Sequence, residues 1–268
     1  MANAGPAAAA VVVYNTTCAD SITCQKLAEM ARPGLQVLIY DNSTCDYGNR
    51  EYCRERGWVY LGGSGNVGIS KAYNGCVEYL KQQGSEGLLC LFDDDTAVSE
   101  AYFNVLEDAA TQSDERIFVP LIRSAGRLMS PCRLTEGHQV QVFESEEEAM
   151  GYKGADLSAI NSCMAIDLRV FDDYRYDENI FLDGVDHHFV RQMYARGDRI
   201  RVIGYSCDHE FSGDSKPPMK SAMIRFQIYV KDYGYILRED KCAYWKLVGK
   251  RAFSLCLQYK SLAFLREL

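Results

Sequence analysis

Several things are missing from this sequence, and each absence narrows what it can be. Its eleven cysteines are odd in number and contain no C-x-x-C pair, so a disulfide framework is not expected and the thiols read as reduced. No stretch approaches the roughly 18 consecutive apolar residues of a membrane span, and the N-terminal MANAGPAAAA lacks the positive region and long apolar core of a secretory signal. A cytoplasmic protein is expected, with any membrane contact peripheral. Positive charge is scarce too: 29 Lys and Arg stand against 37 Asp and Glu, a net −8, which argues against general affinity for a nucleic-acid backbone. There is no internal repeat, no Gly/Ser/Pro linker and no G-x-S-x-G nucleophile motif.

What is present is 268 residues, 47% of them hydrophobic, enough to bury a sizeable α/β core and too much for a disordered tail or a fibre. The charge is uneven. Residues 216–268 hold 11 Lys and Arg against 4 Asp and Glu, or +7, which leaves −15 for residues 1–215.

Short apolar runs recur, each followed by a polar turn and a helix-period segment, as in successive βαβ units. Strands are predicted at 7–15, 35–43, 58–63, 88–96, 116–122 and 199–205, and helices at 21–31, 69–83, 99–111 and 183–197. The segment 126–134 reads as a hairpin arm, 144–151 as a solvated loop or helix start, and 158–171 as a core strand entering a helix. A regular nucleotide-binding half, about 7–115, is thus followed by a less regular half, about 116–215, that finishes the site.

The strongest local signal is Asp93-Asp94-Asp95, directly after the apolar run 88–92. Ligands of open parallel sheets lie beyond the carboxyl ends of the strands, and crowded carboxylates repel unless a hard cation such as Mg²⁺ or Mn²⁺ joins them. By position alone the triplet is equally a solvated turn capping a helix. Gly63-Ser64-Gly65-Asn66-Val67-Gly68 matches the dinucleotide fingerprint G-x-G-x-x-G, but its acidic partner arrives later than the expected ~20 residues, and a tight strand-to-helix turn explains it without ligand. Asp41-Asn42-Ser43 ends another strand, where it either meets a base or ribose or simply turns the chain. Asp183, Asp186, His187 and His188 open the helix 183–197, where Asp186 compensates the dipole or serves as a base. His209 follows the last strand, flanked by Asp208 and Glu210.

Taken as an ordered set, VVVYN, VLIYDNST, GNVGISKAYNGCVEYL, LLCLFDDDT, INSCMAI and YDENIFLDGVDHHFVRQMYARGDRIRV resemble the inverting family-2 glycosyltransferases of the GT-A fold, in particular the bacterial rhamnosyltransferase-like branch. The resemblance runs from about Val11 to His209. It implies a GT-A catalytic domain over 1–215, a mostly parallel sheet flanked by helices, followed by a basic helical extension over 216–268. It implies that Tyr14, Asn15, Asp41, Asn66, Lys71, Asp93 and Asp94 bind a nucleotide-diphospho-sugar, with dTDP-rhamnose the donor that the branch suggests. Asp93, Asp95 and His209 would hold the divalent cation, and Asp186 would be the general base, with Asp183 its earlier acid. Ser162, Cys163 and His188 would meet a glycan or lipid-linked acceptor, although Cys163 and His188 stand where the family often has Gly and Glu. A bacterial enzyme of cell-envelope polysaccharide synthesis is implied. The competing readings are an NAD(P)-dependent oxidoreductase on the glycine turn, a sugar-1-phosphate nucleotidyltransferase, and a non-catalytic binding module. The nucleotidyltransferase should carry a Gly-rich basic loop where this chain has Asn15-Thr16-Thr17-Cys18.

In the extension, Met219, Met223, Phe226, Val230, Tyr233 and Leu237 recur at helical steps and predict a helix packed on the catalytic domain. A second helix, about 243–266, is expected to bury Val248, Ala252, Leu255, Tyr259 and Leu262. Its other side gathers Lys246, Lys250 and Lys260 around Phe253, Leu257 and Phe264, which suits either an anionic membrane surface or a homodimer contact.

Overall fold

The apolar runs form strands β1 (Pro6–Val13), β2 (Gln36–Asp41), β3 (Val59–Gly62) and β4 (Leu88–Asp93), paired in parallel in the order β3-β2-β1-β4. The structure is a computed structural model that describes residues 5–135, 138–208 and 217–268. Strands β1 and β4 are enclosed on both faces, which is why they read as unbroken apolar runs rather than as alternations. Beyond β4 the sheet continues through β10 (Ala165–Asp167), β5 (Ile117–Ser124) and β11 (Ile200–Asp208). Strand β10 runs antiparallel to both of its neighbours, and β11 is parallel to β5. The hairpin strand β6 (Arg127–Ser130) adds to β5.

Helices α1 (Ile22–Met30), α2 (Asn49–Arg56), α3 (Ile69–Gln82), α4 (Glu100–Thr111) and α6 (Val185–Ala195) cover this sheet. One core lies under α3 and α6, around Tyr73, Leu80, Tyr176 and Phe189; the other lies under α1 and α4, around Leu27, Phe92, Tyr102 and Phe103. A small antiparallel sheet of β7 (Cys132–Leu134), β8 (Val140–Val142) and β9 (Leu157–Ser158) stands beside α6, with α5 (Glu146–Gly151) between β8 and β9. The extension folds as α7 (Met219–Ile236) and α8 (Lys241–Tyr259), followed by a 3-10 turn Leu262–Glu267. Phe226, Val248, Ala252, Leu255 and Phe264 form their shared core.

The α/β architecture and its parallel strands agree with the sequence. Several local expectations do not. Helix α2 was not anticipated because its residues are nearly all polar and only Asn49 and Cys53 are buried. The arm 126–134 is two strands broken at Ser130-Pro131, and 158–171 is not one strand but the end of β9, all of β10 and most of a 3-10 turn Leu168–Asp172. Helix α6 starts after Gly184 at φ 77°, not at Asp183. The last helix ends at Lys260 in the left-handed region, so Phe264 turns inward against Phe226 and Tyr259 instead of joining the exposed face, and Leu262 is exposed instead of buried.

The entry to α3 shows how closely the two halves are fitted. Gly68 has φ 87° and ψ 164°, a region essentially restricted to glycine. A Cβ there would lie 2.7 Å from both the ring and the carbonyl oxygen of Phe181, and that carbonyl accepts the Ile69 N–H at 2.7 Å. Gly68→Ala is therefore expected to destabilise the fold by at least roughly 1–3 kcal/mol. Urea unfolding checks this, and an unchanged midpoint would contradict the fit.

Candidate active site

In a sheet ordered β3-β2-β1-β4, the chain turns from one direction of winding to the other between β1 and β4, and the crevice at their carboxyl ends is where a ligand is expected. The structure brings the polar ends of β1, β2 and β4 there. Backbone carbonyls of the acidic turn are tied down from α1. Ser21 Oγ donates to Asp94 O at 2.6 Å and Thr23 Oγ1 to Asp93 O at 2.5 Å, while Thr96 N donates back to Thr23 Oγ1 at 2.8 Å. Ser21 also caps α1, accepting from Cys24 N at 3.2 Å; its bond to Asp94, and both of Thr23's, depend on how α1 lies against β4.

Asp93, Asp94 and Asp95 are all partly exposed. Burial is the main cause that pushes the Asp93 carboxyl up to about 7, with the charges of Asp95, Asp94 and Asp186 adding to it and a hydrogen bond from Ser162 opposing. Asp186 lies in the first turn of α6, near enough for its charge to add to the Asp93 shift. Asp186 Oδ1 also accepts the His187 N–H at 2.7 Å. Asp183 is held differently. Its carboxylate takes both terminal nitrogens of Arg225 on α7, one at 2.8 Å, and burial raises its carboxyl although Arg225 opposes the shift.

Asp41 is only 2% exposed. One oxygen accepts Ser43 N at 3.0 Å, and the other accepts Asn49 Nδ2 and Tyr60 Oη, each at 3.1 Å. With Tyr60, Arg50, Ser43 and Gly63 it lines a cavity of about 410 Å³, and the Arg50 guanidinium lies 4.5 Å from the centre of the Tyr60 ring. A planar group of base size fits such a slot of aromatic, cation and buried carboxylate. Desolvation and the neighbouring Asp41 push Tyr60 up to about 12, which keeps it a hydrogen-bond donor at neutral pH. Asn49, Tyr60 and Arg50 were not singled out in the sequence, since nothing in a strand of four residues or a polar helix marks them.

Asn15, at φ 51°, joins the same rim: its N–H donates to Ser43 Oγ at 2.9 Å and its side-chain oxygen accepts Thr44 N and Oγ1, both at 2.9 Å. Tyr14 is exposed, and its N–H approaches Asp94 Oδ2 at 3.5 Å. Asn66 is used by its own turn, accepting from Asn42 Nδ2 at 2.9 Å and Gly68 N at 3.1 Å. Lys71 is exposed on α3 and lines a cavity of about 410 Å³ with Asn66, Glu178 and Lys231. The glycine turn follows β3, the edge strand, and not the central β1. Its glycines serve the turn, and the switch point lies elsewhere, so the position that a dinucleotide fingerprint normally occupies is not the one it has here.

Of the residues expected to meet an acceptor, Ser162 is buried and shares a hydrogen bond of 3.0 Å with Thr96 Oγ1. Cys163, at φ 58°, is fully enclosed in the core beneath α4, and Tyr102 Oη donates to its carbonyl at 2.9 Å. A contact between Cys163 and an acceptor would therefore run through the backbone. His188 is half-buried, and burial lowers its pKa. It is His187 instead that lines a cavity of about 350 Å³ between α6 and the small sheet, with Ser158, Arg191 and Asp156. His187 Nδ1 lies 2.7 Å from Ser158 Oγ. His209 lies outside the described residues. Among the described residues no group of three or more His, Cys, Asp or Glu is arranged to hold a metal.

No protein-family model matches the chain and no curated protein matches it. Solved structures do. GalNAc-T7, in a crystal structure with UDP, GalNAc and Mn²⁺, is similar over 97% of this chain with a TM-score of 0.58 and 13% identity. S. aureus TarS is similar over 85% with a TM-score of 0.52 and 17% identity. Glucosyl-3-phosphoglycerate synthase from Mycobacterium tuberculosis, in complex with Mn²⁺, UDP and glucosyl-3-phosphoglycerate, is similar over 85% with a TM-score of 0.53 and 9% identity. The chain spans 39% of TarS, 56% of GalNAc-T7 and 78% of the synthase. With its switch point between β1 and β4, its acidic turn after β4 and these likenesses, the chain has the GT-A fold.

Proposed function

We propose that this protein is a glycosyltransferase that moves a sugar from a nucleotide-diphospho-sugar to an acceptor hydroxyl with inversion at the anomeric carbon. Residues 1–215 form the catalytic domain, and 216–268 are an extension of it. The observation that carries the reading is the acidic turn Asp93-Asp94-Asp95 at the carboxyl end of β4, at the switch point of a sheet with the GT-A fold, and Asp186 in the first turn of α6 is the candidate base. A base and a diphosphate site must lie on opposite sides of one anomeric carbon, and these two groups come from different halves of the fold. The base slot around Asp41 and Tyr60 lies beside the same crevice. UDP stands in the structures of GalNAc-T7 and the synthase, whereas the rhamnosyltransferase-like resemblance points to dTDP-rhamnose; a donor screen separates the two.

Asp93 and Asp95 fit a divalent cation, Mn²⁺ or Mg²⁺, because such ions take one or two carboxylates together with substrate phosphate oxygens and would relieve the repulsion that raises Asp93. His209 is the third ligand in this reading. The cation, when bound, supplies charge neutralisation for the diphosphate leaving group. Asp186 takes the proton of the acceptor hydroxyl as its oxygen bonds to the anomeric carbon, while the bond from that carbon to the diphosphate oxygen breaks with its electron pair. Asp41 and Tyr60 orient the base, with Asn15, Asn66 and Lys71 around the nucleotide, and the cavity lined by His187, Ser158 and Arg191 receives the acceptor. Turnover of nucleotide sugars with Mn²⁺ should be abolished by EDTA, and Asp186→Asn should lower it roughly 10²–10⁴-fold with donor affinity nearly intact. Wild-type turnover by Asp186→Asn, or a product of retained configuration, would overturn the mechanism.

The raised Asp93 carboxyl has a consequence of definite sign. Between the ordinary carboxylate range and about 7 the folded protein keeps a proton at Asp93 that the unfolded chain has lost, so stability falls as pH rises through that window. In EDTA, the melting temperature of the wild type should fall more steeply between pH ~5 and ~7 than that of Asp93→Asn. Mn²⁺ at pH ~7.5 should raise it for the wild type only. Equal slopes in thermal melts would remove the electrostatic argument.

A lipid-linked acceptor would give the outer face of α8 a use. Phe253 is 63% and Leu257 65% exposed, near Trp245 at 51%, and Lys246 and Lys250 are exposed on the same helix. Residues 241–268 carry six Lys and Arg against Glu267 alone, so two copies of this face would repel, whereas an anionic leaflet gains roughly 1 kcal/mol per cation. No helix among the described residues is long and apolar enough to cross a membrane. The full chain should sediment with phosphatidylserine vesicles at low salt, and Phe253→Ser with Leu257→Ser should weaken this; no sedimentation by the wild type refutes it.

A further inference from the structure

The loop that leads into α6 is held from two sides. From α3, Ser70 Oγ donates to the Ile180 carbonyl at 2.6 Å and Ile69 N to the Phe181 carbonyl at 2.7 Å. From α7, a single carboxylate takes the next three amides in a row. Asp232 Oδ1 accepts Phe181 N at 2.9 Å, and Asp232 Oδ2 accepts Leu182 N and Asp183 N, both at 2.8 Å. Asp232 is 0% exposed. A buried carboxylate demands full hydrogen bonding, and consecutive backbone N–H groups that converge on one anion form a concave anion cradle.

Arg225 precedes Asp232 by seven residues, about two helical turns, and so projects from nearly the same side of α7. Its guanidinium takes the carboxylate of Asp183. The same helix therefore grips Asp183 by backbone and side chain at once, one residue before the Gly184 that starts α6. Any drift of this loop moves the first turn of α6, and with it Asp186.

We propose that Asp232 is a positioning residue of the transfer site: through the amides of Phe181, Leu182 and Asp183 it sets where α6 begins, so that the C-terminal extension completes the active site rather than merely following it. This rests on the reading of Asp186 as general base. Asp232 itself touches neither donor nor acceptor, and its effect on turnover is relayed through the backbone of the loop.

The test uses the full chain. Asp232→Asn keeps the shape and loses the charge that three amides share; hydrogen exchange at Phe181, Leu182 and Asp183 should quicken 10- to 100-fold, as expected for loss of a charge-assisted hydrogen bond. Its kcat should fall by a similar factor while donor KM and the affinity for UDP with Mn²⁺ stay within about twofold. Phe264→Leu, which loosens the core of the extension away from the loop, serves as the comparison and should lower the melting temperature with kcat preserved. Should Asp232→Asn fail to fold, Arg225→Gln removes only the side-chain grip and should still lower kcat without changing donor KM. Unchanged exchange at the three amides, or a kcat loss in Asp232→Asn no larger than in Phe264→Leu at equal folded fraction, overturns the proposal. If the wild type turns over no nucleotide sugar, it is the glycosyltransferase reading that fails, and the exchange measurement alone still decides whether Asp232 holds the loop.

Discussion

A strand enclosed on both faces can carry no charge along its length, and β4 obeys this from Leu88 to Phe92 before releasing three carboxylates at its end. That constraint organises the molecule. Because β1 and β4 are central, their polar ends emerge at the one place where the winding of the sheet reverses, and the crevice there inherits Asp93, Asp94 and Asp95 together with the backbone of Tyr14 and Asn15. Four carboxylates, counting Asp186, then crowd a site that burial already makes unfavourable for charge. The fold fixes the turn through its carbonyls, which Ser21 and Thr23 hold.

The second half of the chain is less regular because it is fitted to the first rather than repeated from it. Strand β10 enters antiparallel between β4 and β5, and the segment around Ser162 and Cys163 that precedes it is thereby drawn under the acidic turn. The loop 176–183 is stitched to α3 by reciprocal hydrogen bonds with Asn74, whose Nδ2 donates to Tyr176 O and whose Oδ1 accepts Tyr176 N, both at 3.0 Å. Such contacts tie the loop before α6 to α3. From α7, far along the sequence, the buried Asp232 accepts three amides of the same loop.

Much of this was legible beforehand. Apolar runs of the right length announced β1 to β5, the triplet was legible as an acidic turn at a strand end, and the stripe Phe226, Val230, Tyr233 announced a helix, although that stripe packs into the core shared with α8 and not onto the catalytic domain as expected. Asp232 was visible only as an acid beside that stripe, next to Lys231, and an acid on the inner side of an amphipathic helix is a signal that can be sought. Other features had no signal at all. His187 and His188 are neighbours in one helical turn, and which of them lines the cavity depends on the starting residue of α6, which Gly184 sets at Val185, two residues later than the predicted start at Asp183. Phe264 and Leu262 exchanged sides because Lys260 adopts a left-handed conformation that ends α8 early.

By itself, the sequence determined the parallel strands β1 to β5 and most of the helices between them, the position of the acidic turn at a strand end and the amphipathic character of the extension, because each of these follows from local periodicity and from where a buried strand must stop. The tertiary structure alone decided which polar groups meet. The Tyr60 hydroxyl on Asp41, the Ser162 hydroxyl on Thr96, Arg225 on Asp183 and three loop amides on Asp232 all join residues from separate elements. Hydrogen bonds and charge interactions depend on separations of a few ångströms, and those are set only when the helices have settled on the sheet.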